Sequence, residues 1–298
     1  MLEVKQLSKK FGKDVVVDIE HIKISRGTIY GLLGSNGAGK TTLLKMLSGI
    51  IKPTSGAITF EESPIYENRE LKARVVFIPD QPFFFQHYSI KQLADFYREQ
   101  YPSFDEARFL EFERIFKLDT KKKVHTFSKG MQRQVSFWLA LSAQPDYLIL
   151  DEPFDGLDAV VRKKIKNLII RDVAERDMTV IISSHNLREV EDLCNYIGII
   201  HKGKYVIDRD IDDLKTDVHK VQIAFKEIPD RLFKDFHVLH HETRGSVHMY
   251  IVKGELEDIK QSITLSNPIL CDILPLTLEE IFVYEMEGIG YAMDHVLV

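Results

Sequence analysis

Only two cysteines occur in 298 residues, Cys194 and Cys271, and they form neither a metal-binding pattern nor a disulfide framework. Each reads as a small buried hydrophobe. No stretch approaches the roughly 18 consecutive apolar residues that a transmembrane helix needs. The N-terminus carries Glu3 and Lys5 early and lacks an apolar core, so no signal peptide is expected. Any contact with a membrane would then go through a partner. Basic excess is also missing: the formal charge is −5. Sequence-blind nucleic-acid binding needs a cationic surface, so no nucleic acid is expected as a partner. The run Lys121-Lys122-Lys123 is short and reads as a solvated turn. His237, His240, His241 and His248 fit no standard metal spacing, and neighbours on a strand such as His240 and His241 point to opposite faces.

What the chain does have is a hydrophobic content of 44% and enough length for one large domain plus a small one. It also has Gly34-Ser35-Asn36-Gly37-Ala38-Gly39-Lys40-Thr41-Thr42, which fits the phosphate-binding pattern G-x-x-x-x-G-K-S/T. The glycines allow a tight turn whose backbone N–H groups point inward at phosphate oxygens. The apolar residues 29–33 before it read as a buried strand, and residues 42–48 after it read as a helix whose positive end faces the phosphates. Lys40 can reach the β- and γ-phosphates, and the Thr41 hydroxyl can ligate Mg²⁺.

About a hundred residues on, the apolar run Tyr147 to Leu150 ends in Asp151-Glu152-Pro153. An acid at the carboxyl end of a parallel strand can hold Mg²⁺, which is the role expected of Asp151. Glu152 can orient and deprotonate an attacking water. Phe127-Ser128-Lys129-Gly130-Met131-Gln132 lies upstream. Asp155-Gly156-Leu157-Asp158 and Ser183-Ser184-His185 lie downstream.

Together these motifs, over about residues 1–210, resemble the ATP-binding-cassette (ABC) family of transporter ATPases. The segment Ser128-Lys129-Gly130-Met131-Gln132 is similar to the family signature LSGGQ, with Phe127 for Leu, Lys129 for the first Gly and Met131 inserted before Gln132. Asp155 to Asp158 resembles the D-loop, His185 stands where the family has its switch histidine, and Phe11 matches the aromatic that stacks on adenine. One position departs from the pattern. Two residues after Ile78 the family usually places a magnesium-ligating glutamine; here Asp80 holds that place and Gln81 follows, so either could be the ligand. The resemblance implies MgATP as the bound species, with Glu152, His185 and Lys40 in catalysis. Phe11, residues 34–42, Ser128, Gly130 and Asp158 would bind nucleotide, and Thr41, Asp151 and Asp80 or Gln81 would hold the metal.

The resemblance also sets an expected architecture: an α/β P-loop cassette with a mainly parallel sheet core, an antiparallel β part and a helical subdomain at about 84–143, followed by a small α+β domain. The cassette is expected over 1–210, with the core drawn from 31–80 and 145–210, and the accessory domain over 211–298. In the family, the signature of one cassette binds the γ-phosphate held by the other. A second cassette chain is therefore implied, as a homodimer or a heterodimer, together with transmembrane permease subunits that keep the protein at the inner face of the membrane. The overall look is closest to export-like cassettes with short C-terminal domains, including the Ytr type tied to acetoin use and envelope antibiotic response. The alternative is a soluble cassette acting on the ribosome or DNA.

Several finer expectations follow from pattern alone. The aromatics Phe83, Phe84, Phe85, Tyr88, Phe96, Tyr97, Tyr101 and Phe104 read either as subdomain core or as a groove for a helix of a membrane subunit. Residues 218–225 and 246–252 alternate like strands, and residues 230–236 and 257–263 read as short helices. Thr277 with Glu280 has capping-box spacing. Residues 288–298 read as a loose tail or one packed on a dimer mate.

Overall fold

The protein was analysed as a computed structural model, which describes residues 1–225 and 232–288. In chain order the first part has strands β1 (Leu2–Phe11), β2 (Asp14–Ile24) and β3 (Ile29–Leu33), helix α1 (Lys40–Leu47), and strands β4 (Ser55–Phe60) and β5 (Ser63–Pro64). Then come α2 (Arg69–Lys72), β6 (Val75–Ile78), α3 (Ile90–Gln100), α4 (Glu106–Phe116), α5 (Lys129–Ser142), β7 (Tyr147–Asp151), α6 (Ala159–Arg176) and β8 (Thr179–Ser184). Next are α7 (Leu187–Glu191), β9 (Tyr196–His201), β10 (Lys204–Asp210), α8 (Ile211–Asp217), β11 (Val218–Ala224), β12 (His237–Arg244) and β13 (Val247–Lys253). The last three are α9 (Leu256–Leu265), β14 (Leu270–Leu274) and α10 (Leu278–Gly288). Contacts divide the chain into two units, one of residues 1–186 with 193–208 and one of 187–192 with the chain from Arg209 on.

The first unit holds a six-stranded sheet in the order β10-β9-β3-β8-β7-β6. Strands β9, β3, β8, β7 and β6 pair in parallel with one another. Strands β3, β7 and β8 are buried along their whole length, as expected for parallel strands covered on both faces. A four-stranded antiparallel sheet runs β2-β1-β4-β5. Strands β4 and β5 belong to this second sheet, not to the parallel core to which residues 31–80 were assigned from sequence. Phe11 closes the β1–β2 hairpin opposite Asp14.

Helices α3 to α5 fill the stretch read as helical. Their ends follow local capping chemistry: Ser89 and Gln92 form a reciprocal capping box on α3, and the Asp105 side chain accepts from the Arg108 N–H at the start of α4. Trp138 of α5 is fully buried. It lies 5.1 Å from the Phe109 ring and 6.0 Å from the Phe116 ring of α4, and its Nε1 donates to the Phe109 carbonyl at 2.9 Å. The helical core is thus Phe109, Phe112, Phe116, Phe137 and Trp138. Of the earlier aromatic cluster, Phe83, Phe85, Tyr88 and Phe96 are exposed, Phe83 by 83%. The subdomain-core reading fails for these four, because α4 and α5 already supply one another's apolar faces.

The second unit has the sheet order β12-β13-β11-β14, with every described pairing antiparallel. Helix α9 adds Ile259 and Ile263 to a core with Val221, Ile223, Phe233, Tyr250 and Val252. Strands β12 and β14 were not expected from the sequence. The helix expected at 230–236 begins on residues outside those described, and residues 232–235 form a turn. Thr277 does cap α10: its N–H donates to Glu280 Oε2 at 3.0 Å, and the Glu280 N–H donates to Thr277 Oγ1 at 3.2 Å. The expected tail lies outside the described residues beyond Gly288. Cys194 is buried as expected, whereas Cys271 is only half-buried, on the edge strand β14.

Trp138→Ala should lower stability by about 3–5 kcal/mol, the range for emptying a large aromatic site. It also removes the indole donor from the Phe109 carbonyl. Urea unfolding followed by circular dichroism checks this. A loss below about 1 kcal/mol would mean that α4 and α5 do not form a close-packed core.

Candidate active site

Strand β3 runs into a loop whose geometry is set by its glycines. Gly39 is the N-cap of α1 at φ 107°, and a Cβ there would sit 2.7 Å from the Val16 carbonyl oxygen. The Ala38 N–H closes the loop on the Ser35 carbonyl at 3.1 Å. No side chain caps the N-terminus of α1, which leaves its first N–H groups available to an anion. A cavity of about 280 Å³ opens there, lined by Val16, Ser35, Asn36, Gly37, Gly39, Lys40, Thr41, Thr42, Asp80, Asp151 and Glu152.

Lys40 is buried, and its ammonium is turned back over the loop. It donates to the Gly34 carbonyl at 2.5 Å and to the Ser35 carbonyl at 3.3 Å, and it stands 3.5 Å from Glu152 Oε1. A buried ammonium needs such partners, because desolvation penalises an unpaired charge. The other oxygen of Glu152, Oε2, meets His185 Nδ1 at 2.9 Å. The carboxylate of Glu152 therefore lies between a lysine and a histidine that are 145 residues apart in the chain.

The backbone beneath this carboxylate is built with equal care. Glu152 adopts φ 44°, a left-handed conformation uncommon outside glycine, asparagine and aspartate. Its N–H donates to Ser183 Oγ at 3.0 Å, and the Ser183 hydroxyl donates to Asp151 Oδ1 at 2.7 Å. Ser183 can do both because the β7–β8 register sets Asp151 opposite Ser183. Asp151 is buried with its carboxylate oriented into the cavity wall. Thr41, Asp151 and Asp80 line the same cavity and offer hydroxyl and carboxylate oxygens, the donor type that suits Mg²⁺. Gln81 does not line it. It borders a separate cavity of about 410 Å³ with Asp80, Lys129, Arg133 and Asp155. Among the described residues one trio of His, Cys, Asp or Glu could share a metal, Glu152, Asp155 and His185, with ligand atoms within 4.8 Å of one another.

The family description "ABC transporter" matches residues 18–155. Across 97% of this chain and 99% of the relative, the sequence is 34% identical to the ABC transporter ATP-binding protein YtrB of Bacillus subtilis. The chain belongs to the ABC transporter ATP-binding family. The bacitracin transport ATP-binding protein BcrA of Bacillus licheniformis is 38% identical over 94% of each chain. A solved structure described as the ATP-binding subunit of an ABC transporter superposes with a TM-score of 0.67 at 27% identity, covering 72% of this chain and 92% of that one. The ATP-binding cassette MJ0796 superposes with a TM-score of 0.64 at 20% identity, covering 71% and 99%, and speaks for the fold alone. The ribosome- or DNA-acting alternative gains no support from these relatives.

This ABC cassette does not gather all its sequence-predicted residues around one cavity. Residues of the phosphate loop, Asp80, Asp151, Glu152 and His185 come together. Ser128 and Gly130 line neither that cavity nor its wall. Ser128 is exposed at the N-cap of α5, where its Oγ accepts from the Met131 N–H at 3.2 Å. A Cβ on Gly130 would lie 2.9 Å from the Gly156 carbonyl oxygen, so the signature turn packs directly on the D-loop backbone. Asp158 caps α6, accepting from the Val160 and Val161 N–H groups. Phe11 is 50% exposed with Lys9 Nζ 5.0 Å from its ring centroid. Gly34 and Ala38 do not line the cavity, and a Cβ on Gly34 would sit 2.3 Å from the Ile200 carbonyl oxygen. Val16, Ser183 and Arg133 were missed. For Ser183 the signal was present: a serine at the end of an apolar run can register beside the acid that ends its neighbour.

In the second unit the histidines are also partly regrouped. His241 Nε2 lies 3.4 Å from His248 Nδ1, which also meets Thr243 Oγ1 at 3.1 Å. His241 stacks on Tyr250, and burial with the neighbouring His248 and His240 holds its imidazole below the usual histidine pKa. His240 points elsewhere, against Tyr284, as strand alternation requires.

Gly39→Ala should abolish high-affinity nucleotide binding, because the added Cβ meets a backbone oxygen that cannot retreat, at a φ strained for any L side chain. Titration with a fluorescent ATP analogue, beside a thermal melt, measures it. Wild-type affinity in this variant would show that the loop adapts without cost.

Proposed function

We propose that this chain binds MgATP in the phosphate-loop cavity and hydrolyses it to drive a membrane transporter. The single observation that carries the reading is the Glu152 carboxylate held between Lys40 and His185 at the rim of that cavity. A carboxylate there can take a proton from a water attacking the γ-phosphate, and His185 can orient the carboxylate. Lys40, at the loop carbonyls and Glu152, is the charge that would meet the β- and γ-phosphates. Thr41 and Asp151, with Asp80 beside them, would hold the Mg²⁺ that arrives with the nucleotide and offsets phosphate charge. Phe11 would stack on the adenine ring from its exposed hairpin position.

The exposed signature supports a second part of the proposal. Ser128 and Lys129 face outward, so a complete site needs the signature of a second cassette, the simplest arrangement being a two-fold homodimer. The exposed aromatics Phe83, Phe85, Tyr88 and Phe96 support a third part, contact with a permease. They adjoin a cavity of about 700 Å³ lined by Phe96, Tyr97, Tyr101, Arg69 and Lys72. No described helix is long and apolar enough to cross a membrane, so such a contact would be how the chain acts at the inner face of the membrane.

Glu152→Gln should cut turnover about 10²–10⁴-fold, the usual yield of general-base catalysis, and leave ATP affinity nearly intact. Near-normal steady-state ATPase would remove Glu152 from the chemistry. In that background light scattering should show monomer without nucleotide and dimer with MgATP. Ser128→Arg should prevent the dimer while sparing ATP binding by the monomer, and mixing Ser128→Arg with Lys40→Ala chains should restore part of the activity through one intact composite site. If neither dimer nor complementation occurs, the partner is a different cassette chain.

Phe11→Ala should raise the ATP KM about tenfold, as loss of a base–aromatic stack does, without changing the melting temperature of so exposed a position. An unchanged KM would confine Phe11 to packing.

A further inference from the structure

Arg133 is buried to 6% exposure on the second turn of α5, and its guanidinium makes contacts in two directions. Nη1 donates to the Glu152 carbonyl at 2.6 Å. Nη2 donates to the Asp80 carbonyl and, at 3.3 Å, to Asp80 Oδ1. Asp80 follows β6 and Glu152 directly follows β7, and these strands are parallel neighbours. One side chain thus ties together the two loops that leave adjacent strands at the phosphate cavity. Asp80 itself borders both the phosphate cavity and the 410 Å³ cavity under α5. The same helix begins at exposed Ser128 and touches Gly156 through Gly130.

We propose that Arg133 is a positioning residue for the reaction: it holds the backbone that aims Glu152, balances the charge of Asp80 at the lip of the cavity, and ties both to the signature end of α5. This rests on the hydrolytic reading above. Glu152 sits at a strained φ of 44°, and such a conformation persists only where its surroundings over-determine it. The Ser183 hydroxyl fixes the N–H side of that residue and Arg133 fixes the carbonyl side. With both held, the Cα–Cβ bond of Glu152 has one direction, and its carboxylate lies between Lys40 and His185. A planar guanidinium suits the task because its donors diverge in a fixed fork from separate nitrogens, whereas an ammonium offers its donors from one nitrogen with no fixed fork. Asp80 puts a negative charge beside a polyphosphate site, and Arg133 is the cation in contact with it. Because Ser128 and Arg133 share one rigid helical segment, displacement of the signature also moves the support of Glu152.

The test separates the two effects by measuring kcat and ATP affinity on the full chain. Wild type and Glu152→Gln are measured first; absence of turnover in the wild type would sink the hydrolytic reading and this inference with it, whereas wild-type turnover lost in Glu152→Gln leaves the Arg133 variants to decide this inference alone. Arg133→Lys keeps the charge and loses the fork. Its kcat should fall about ten- to a hundredfold, the cost of a misplaced catalytic group, with ATP affinity within twofold of wild type. Arg133→Gln should lose kcat similarly and also bind ATP several-fold more weakly, since Asp80 is then uncompensated. Measured without Mg²⁺, where the Asp80 carboxylate has no metal to hold, ATP affinity should be restored in Asp80→Asn combined with Arg133→Gln, while kcat with Mg²⁺ stays low. Thermal melts accompany each variant, and if Arg133→Gln does not fold, Arg133→Lys decides alone. A kcat within twofold of wild type in Arg133→Lys overturns the proposal. So does a kcat that recovers together with affinity in the double variant, which would reduce Arg133 to charge balance.

Discussion

The site depends on one constraint, the level at which neighbouring parallel strands end. The pairing of β3 with β8, of β8 with β7 and of β7 with β6 brings four carboxyl ends to one edge of the sheet. From that edge emerge the phosphate loop after β3, Asp80 after β6, Asp151 and Glu152 at the end of β7, and His185 after β8. A shift of two residues in the β7–β8 pairing would part Asp151 from Ser183, leaving the acid without its donor and the Glu152 N–H without its acceptor. Binding at the carboxyl ends of strands is general for open parallel sheets. Here the register also supplies the hydrogen bonds that orient Asp151 and the Glu152 backbone.

Electrostatics then makes the arrangement self-consistent. Lys40 is buried and cannot stay unpaired, so it turns to the Gly34 and Ser35 carbonyls and to Glu152. Each of those contacts is one that phosphate oxygens can replace. The carboxylate is shared with His185, so losing Lys40 to a phosphate would not leave it unpartnered. Asp80 puts a negative charge at a cavity suited to phosphate. In the folded chain it is paired with Arg133, a residue that pattern matching had no reason to single out.

Outward-facing features carry the other half of the reading. Ser128 and Lys129 of the signature are exposed, while Phe127 is buried and Gly130 packs on Gly156. The aromatic residues around Phe83 and Phe96 stay on the surface because the helical core is already filled by Phe109, Phe112, Phe116, Phe137 and Trp138. Surplus apolar surface beside a cavity marks an interaction site more than a packing fault. The second unit has its own core and an all-antiparallel sheet, and its strands β12 and β14 were hard to see. Strand β12 is rich in histidine and charge, and β14 is a five-residue edge with exposed Leu270 and Leu274.

The sequence by itself determined the residues that cannot be exchanged: the glycines of a loop that passes within van der Waals limits of its neighbours, the lysine and threonine at a helix start, and the acid pair that ends a buried strand. Those features are local, and local sterics and spacing are legible in one dimension. It also determined the family, because several weak motifs in fixed order constrain one another. Only the tertiary structure decided which of Asp80 and Gln81 faces the phosphate cavity, that Ser183 holds Asp151, that Arg133 supports Glu152, and that the Phe83 cluster is surface. Each of these turns on strand register or on which faces are already covered. Both are set by residues far apart in the chain, and no window of sequence contains them.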